Sequence, residues 1–163
     1  MNLPPNYIAG LVDGEGCFSL RYHAEVKHHL KGKPIYPRWK AEFAIVMRED
    51  DTQLLRMVQD GIGCGTITKS QGAVRYSVQG TKELINVIIP FFNKYPLHGK
   101  KATDFKLWCE AVTIIDGRRL QGMNIGKGIK GFAKKVWSTG ELDRLQELHQ
   151  KMVDHKTNRV IMV

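Results

Sequence analysis

Four stretches of this chain alternate apolar and polar residues with a period of two. In "CFSLRYHAEV", Phe18, Leu20, Tyr22, Ala24 and Val26 share one face, and Ser19, Arg21, His23 and Glu25 share the other. In "RWKAEFAIVM", Trp39, Ala41, Phe43, Ile45 and Met47 point one way, and Arg38, Lys40 and Glu42 the other. "GTITKS" and "AVRYSVQ" are shorter and meet at Gln71-Gly72, a hairpin signal. On the second, Val74, Tyr76 and Val78 alternate with Arg75, Ser77 and Gln79. This period marks strands buried on one face and wet on the other.

The segments between them read as the apolar cover. After two prolines, Asn6 caps a short helix carrying Tyr7, Ile8, Leu11 and Val12, which Gly14 and Gly16 stop. Asp50 or Asp51 opens a second helix with Leu54, Leu55 and Val58, ended by Gly61. Thr81 caps a third, broken near Pro90. "ATDFKLWCEAVTII" is a strongly apolar fourth. Residues 116–132 hold five glycines and several basic residues and read as a mobile basic loop. Ser138 caps a last helix with Leu142, Leu145, Leu148 and Met152 in step. The order is αββαββα with extra C-terminal helices. The expected fold is α+β, a four-stranded antiparallel sheet packed by helices. One domain spans 1–163, with a core over 7–115 and a C-terminal basic loop and helix over 116–163.

Charge narrows the partner. The net charge is +9, from 25 Lys and Arg against 16 Asp and Glu. That excess suits a polyanion, nucleic acid before an anionic membrane surface. No apolar run approaches the roughly 20 residues of a membrane span, and the N-terminus has no secretory pattern. The expectation is an intracellular protein without membrane attachment. Cys17, Cys64 and Cys109 are odd in number and far apart, which argues against a disulfide frame or structural zinc and for buried reduced thiols.

The wet faces of the strands, the loop from Lys27 to Lys33 and the net charge share one sign. A β-ribbon can enter the DNA major groove, where Arg, Gln and Glu read base edges. Alternation gives the DNA-facing set as Ser19, Arg21, His23, Glu25, Arg38, Lys40, Glu42, Thr66, Thr68, Ser70, Arg75, Ser77 and Gln79. Lys27, His28, Lys31 and Lys33 would touch phosphates or outer bases. Arg118, Arg119, Lys127, Lys130, Lys134 and Lys135 would clamp the backbone. His28, His29, His149 and His155 read as solvated histidines rather than metal ligands.

"IAGLVDGEG" stands apart. Asp13 and Glu15 sit at the negative end of their helix, against its dipole, so something positive should be close. A divalent cation shared with a substrate phosphate is the simplest answer. Ala9, Gly10 and Gly14 form a small-residue side where the same helix of a second subunit could pack. Two carboxylate ends would then meet at one spot, and with Mg²⁺ and a phosphodiester between them they would form a cleavage centre.

Ile8 to Gly16 resembles the LAGLIDADG motif of homing endonucleases, with Glu15 in place of the last Asp. "IGCG", residues 62–65, resembles that family's helix-to-strand turn, and "YPLHGKKATDF", residues 95–105, its lysine-bearing segment. The resemblance covers roughly residues 7–115 and includes one motif copy. It implies a homodimer paired through Ala9, Gly10, Asp13 and Gly14, acting on a long pseudo-palindromic double-stranded DNA site. It implies metal binding by Glu15 and the Gly14 carbonyl, with Asp13 more structural. It implies a basic catalytic residue among His98, Lys100 and Lys101, with Lys101 preferred for its place at the helix start. Mg²⁺ is the expected cofactor, with Mn²⁺ substituting and Ca²⁺ binding without turnover. Met47 stands where relatives often carry a polar, water-orienting residue, a role Arg48 could partly assume. Family members also act as RNA maturases on their host intron, and a DNA-binding protein without chemistry is a third reading. The setting implied is a prokaryotic cytoplasm or an organelle.

Overall fold

The computed structural model describes residues 3–26, 31–32, 35–123 and 137–158. Expectations for Lys27, His28, His29, Lys33, Lys127, Lys130, Lys134 and Lys135 lie outside the described residues, as do those for the side chains of Glu25 and Arg119.

Helix α1 spans Pro5–Glu15 and packs Ile8, Ala9 and Val12 into the core. It opens two residues earlier than an Asn6 cap predicts: Pro4 is the cap, and no side chain bonds the first turn. Pro5 fits there because a first-turn N–H has no helical partner to lose. Gly14 lies inside the helix, and Gly16 alone ends it with an extended backbone. A Cβ on Gly16 would stand 2.5 Å from Val12 Cγ1 and 2.7 Å from the Val12 carbonyl oxygen, so only glycine lets the chain leave there.

Strand β1 runs Gly16–Val26 and β2 runs Ile35–Arg48, antiparallel, with Gly16 opposite Ile45 and Val26 opposite Ile35. The strand pairing thus takes in Ile35 to Pro37, where the nearby prolines, glycine and lysines suggest a loop. After a short 3₁₀ turn, Glu49–Asp51, helix α2 spans Thr52–Ile62. It ends on Gly63 at φ +88°, two residues beyond the expected Gly61. Gly61 is instead a contact point, where an added Cβ would lie 2.7 Å from Ile8 Cδ1 on α1. Strands β3 (Thr66–Ser70) and β4 (Ala73–Val78) join through Gln71 and Gly72, both at positive φ, as a tight hairpin turn requires. The sheet order is β1-β2-β4-β3. Tyr76 donates its hydroxyl to the Cys64 carbonyl at 3.0 Å, and Gln59 donates to the Gly65 carbonyl at 2.8 Å, fixing the turn between α2 and β3.

Helix α3, residues 81–94, starts at Thr81–Glu83, widens to a π turn over Leu84–Ile88, and continues over Ile89–Lys94. Gly80, not Thr81, holds its cap position. Pro90 does not break it. The widened turn just before the proline relieves the clash its ring would make with the preceding turn. Helix α4 spans Lys101–Met123, so residues 116–123 are helical where a loop was expected, and residues 124–132 lie outside the described ones. Helix α5 spans Thr139–Asn158. Ser138 caps it as expected: its hydroxyl oxygen accepts the Glu141 N–H at 3.2 Å, and the Glu141 carboxylate accepts the Ser138 N–H at 3.0 Å.

The apolar faces predicted by alternation form the core, except at Tyr22, which is 50% exposed toward the far end of β1, and at Ala24 and Val26, whose side chains lie outside the described residues. Phe18, Leu20, Trp39, Ala41, Phe43, Ile45, Val74, Tyr76 and Val78 are buried, and Met47 is half-buried against them. Phe18 stacks on Phe43 at 5.2 Å and meets Phe92 of α3 and Phe105 and Trp108 of α4. Leu145, Leu148 and Met152 join the same cluster, so α5 belongs to the core. Lys156 near its end donates to the Phe18 carbonyl at 2.8 Å, and Arg144 grips Glu110 of α4 at 2.6 and 2.8 Å. Among the described residues no helix is long and apolar enough to cross a membrane.

Candidate nucleic-acid interface and helix-end site

Of the two acids of α1, Asp13 finds its partners inside the chain, in backbone amides rather than a cation. The Asp13 carboxylate accepts the N–H of His98 at 2.8 Å and that of Gly99 at 3.0 Å. A Cβ on Gly99 would approach Asp13 Oδ1 to 3.0 Å, so this residue must stay small for the loop to close on the acid. Two residues on, α4 begins, and Lys101 donates its ammonium to the Gly14 carbonyl. Lysine at that point also answers the helix dipole, because the last carbonyls of α1 carry its negative end. Glu15 remains exposed where α1 passes into β1.

The structure thus brings Asp13, Gly14, Glu15 and Lys101 together across 87 residues of sequence. His98 meets this cluster through its backbone and keeps an exposed ring, and Lys100 is exposed beside it. Gly10 and Gly14 lie on the open side of α1, where an added Cβ on either would meet nothing within 4 Å. Ala9 does not join them. It is buried among the protein's own core residues, because it follows Ile8 onto the covered side of the helix.

The polar face of the sheet carries Arg21, His23, Arg38, Lys40, Thr66, Thr68, Ser70 and Gln79 exposed, with Ser19 and Arg75 half-buried; Lys31, in the β1–β2 loop, is exposed. Two of its members are not solvent-facing. Ser77 and Glu42 are each 7% exposed. Glu42 sits at a crossing of ion pairs. Its Oε2 meets Arg75 Nη2 at 2.8 Å and Arg21 Nη2 at 3.6 Å, and its Oε1 accepts from Gln79 Nε2 at 2.9 Å. Burial pushes this carboxyl up, but hydrogen bonds from Arg75 and Gln79 and the charges of Arg75 and Arg21 outweigh it and hold the group below the ordinary carboxylate range.

Alternation extends this face further than the polar residues alone. Cys17 and Val46 follow the same parity and are exposed. Cys17 is therefore not the buried thiol expected, because it shares the wet side of β1 with Ser19 and Arg21. Cys109 is half-buried, and its surroundings push its thiol up to about 12. Arg118, expected to clamp DNA, lies over the Trp137 ring at 3.8 Å. His155 pairs through Nδ1 with the buried carboxylate of Asp104 at 2.8 Å, and His149 packs 5.7 Å from Trp39, so neither is a solvated surface histidine.

A one-sided antiparallel sheet under helices, with an acidic helix end delivered to its start, defines the αββαββα class. A family model described as LAGLIDADG endonuclease matches residues 8–112, and this chain belongs to that family. An uncharacterised 50.9 kDa protein in ND4 intron 1 of Podospora anserina is 34% identical over 119 residues, 71% of this chain and 25% of that protein. A probable intron-encoded endonuclease of Neurospora crassa is 29% identical over 127 residues, 75% of this chain and 23% of that relative. The chain therefore spans about a quarter of the length of these curated relatives. Two solved structures share its fold. I-SmaMI bound to uncleaved DNA target in the presence of calcium ions superposes with a TM-score of 0.73 at 22% identity, covering 93% of this chain and 45% of that one. The I-LtrWI LAGLIDADG homing endonuclease bound to target DNA gives 0.71 at 25% identity, covering 92% and 44%.

Proposed function

We propose that two copies of this chain pair through α1, bind a long pseudo-palindromic DNA duplex on their polar sheet faces, and hydrolyse one phosphodiester in each strand. The observation that carries this reading is the helix-end cluster: exposed Glu15, the Gly14 carbonyl, and Lys101 held against that carbonyl. Glu15 and the carbonyl are hard oxygen donors, the type that Mg²⁺ takes. Among the described residues no group of three or more His, Cys, Asp or Glu could hold a metal. One chain therefore offers part of a coordination sphere, to be completed by DNA phosphate, water and the same acid of the second copy. Mg²⁺ held there would supply an activated water and offset phosphate charge, with Mn²⁺ able to substitute and Ca²⁺ supporting binding alone. Lys101 adds fixed positive charge where negative charge gathers on the phosphate oxygens during cleavage. Asp13 positions the loop that delivers Lys101.

The test is cleavage of the DNA around the gene's own insertion site, with the intervening element removed, in Mg²⁺, Ca²⁺ or EDTA. Discrete double-strand cuts in Mg²⁺, absent in Ca²⁺ and lost in Glu15→Gln, are expected. Tight binding in Ca²⁺ with no cutting in Mg²⁺ or Mn²⁺ would sink the nuclease reading for that DNA. A second reading, an RNA-binding helper of intron splicing, is favoured by Met47, which packs against the core instead of offering a polar group to water. Intron RNA binding and restored splicing would select it. The relative named for an ND4 intron favours an organelle over a prokaryotic cytoplasm as the setting.

A further inference from the structure

We infer that Glu42 is a positioning residue for base recognition: it holds Gln79 and Arg75 in one orientation on the sheet and does not itself contact DNA. This rests on reading the polar sheet face as the DNA-facing surface. An acid on such a face repels phosphates and weakens binding to every sequence alike. Glu42 nonetheless stands near the middle of the sheet, opposite Ser19 on β1 and next to the end of β4. Both of its oxygens are engaged by residues from β1, β4 and the position just after β4.

The ionised state of Glu42 fixes the chemistry of its neighbours. A carboxylate only accepts hydrogen bonds, so the Gln79 group facing it must be the amide nitrogen. The amide's two possible orientations, ordinarily interchangeable, are reduced to one. Gln79 is exposed, so with one N–H committed to Glu42 its carbonyl oxygen and second N–H would meet an incoming base edge in a set order. That order offers an acceptor and a donor to a base edge carrying a donor beside an acceptor, as adenine does in the major groove.

Arg75 is held in a related way. Its backbone pairs with Val46, while Glu42 lies four residues away along β2, on the same face beyond the Ala44–Ser77 pair. To reach Glu42 at 2.8 Å, the Arg75 side chain runs along the strand over these two small residues, which are 2% and 7% exposed. Its guanidinium is thus fixed above the sheet centre. Arg21, at 3.6 Å and with a side chain 60% exposed, is held more loosely.

The test uses selection from a randomised duplex DNA pool in Ca²⁺, together with equilibrium binding to one random-sequence duplex. Wild type, Glu42→Gln, Gln79→Ala and the double variant are compared. Glu42→Gln should bind the random duplex about 2- to 5-fold more tightly, because a negative charge has left the face. Its preference at the base position that Gln79→Ala affects should flatten, since a glutamine at 42 accepts either orientation of Gln79. On the Gln79→Ala background, Glu42→Gln should change nothing further at that position. A merely structural role would lower affinity evenly and leave base preferences in place. Selective wild type with unchanged preferences in Glu42→Gln overturns this inference alone. Wild type that selects no sequence overturns the site-specific reading and this inference with it. NMR of the wild-type protein needs no variant to fold. The Gln79 side-chain amide should show one strongly shifted, slowly exchanging proton at pH 7, and an amide indistinguishable from a free surface glutamine would also overturn the inference.

Discussion

Lys101 carries the most consequence of any single side chain. His98, Lys100 and Lys101 lie within four residues, and sequence alone cannot say which turns toward the motif. The decision comes from the start of α4, which directs the Lys101 ammonium to the Gly14 carbonyl. Lys101→Met should lower cleavage by about 10²–10³-fold while leaving duplex binding in Ca²⁺ little changed. Parallel gel-shift and cleavage assays would separate the two, and an equal fall in both would make Lys101 a binding residue. Glu42 makes a second residue-scale prediction. Its folded pKa lies below its unfolded value, so its contribution to stability is complete above the ordinary carboxyl value of about 4.3 and is lost as pH falls through the folded value. Wild type should lose thermal stability relative to Glu42→Gln below about pH 4. Melting curves that stay parallel from pH 7 to pH 3 would contradict this. Alternation placed Glu42 on the correct face but could not reveal its burial, because its partners come from strands on either side and from beyond the end of β4.

At the scale of elements, strands were more legible than helix ends. Period-two alternation depends on local side-chain direction, so the faces of β1, β2 and β4 could be read directly. Helix ends depend on distant neighbours. Gly61 looks like a stop signal but stays helical, because its missing side chain makes room for Ile8 of α1. Pro90 looks like a break but is absorbed by the π turn before it. The glycines and basic residues after Asp116 suggest a loop, yet α4 continues to Met123 with Asp116 buried beneath it. Helix α5 was legible from its leucine spacing and its Ser138 cap, although not as part of the same core. Leu148 is fully buried, so Leu148→Ala should cost about 2–5 kcal/mol in chemical denaturation. A loss under about 0.5 kcal/mol would instead make α5 a loosely attached appendage.

The whole molecule presents an open glycine side on α1, and the proposed pairing depends on it. Gly10→Leu adds bulk where the single chain has nothing within 4 Å, so the fold itself should tolerate the change. Sedimentation should show a pair for wild type and a single chain for Gly10→Leu, with double-strand cutting lost. A variant that sediments like wild type would move the pairing to another surface. The motif and the fold class could be read from one short segment and four alternating runs, while the closure of the site could not, because it joins the two ends of the matched region. Asp13 and the amides it holds are 85 and 86 residues apart in sequence. Contacts of such separation carry a loop-closure cost, which the intervening sheet offsets by bringing the ends together. The amides of His98 and Gly99 lie in a surface loop, outside any strand or helix, and their partner is one carboxylate. Their hydrogen–deuterium exchange is thus a clock for the site alone: protection appears when the lysine loop docks and disappears when it lifts, with no DNA or metal in the tube.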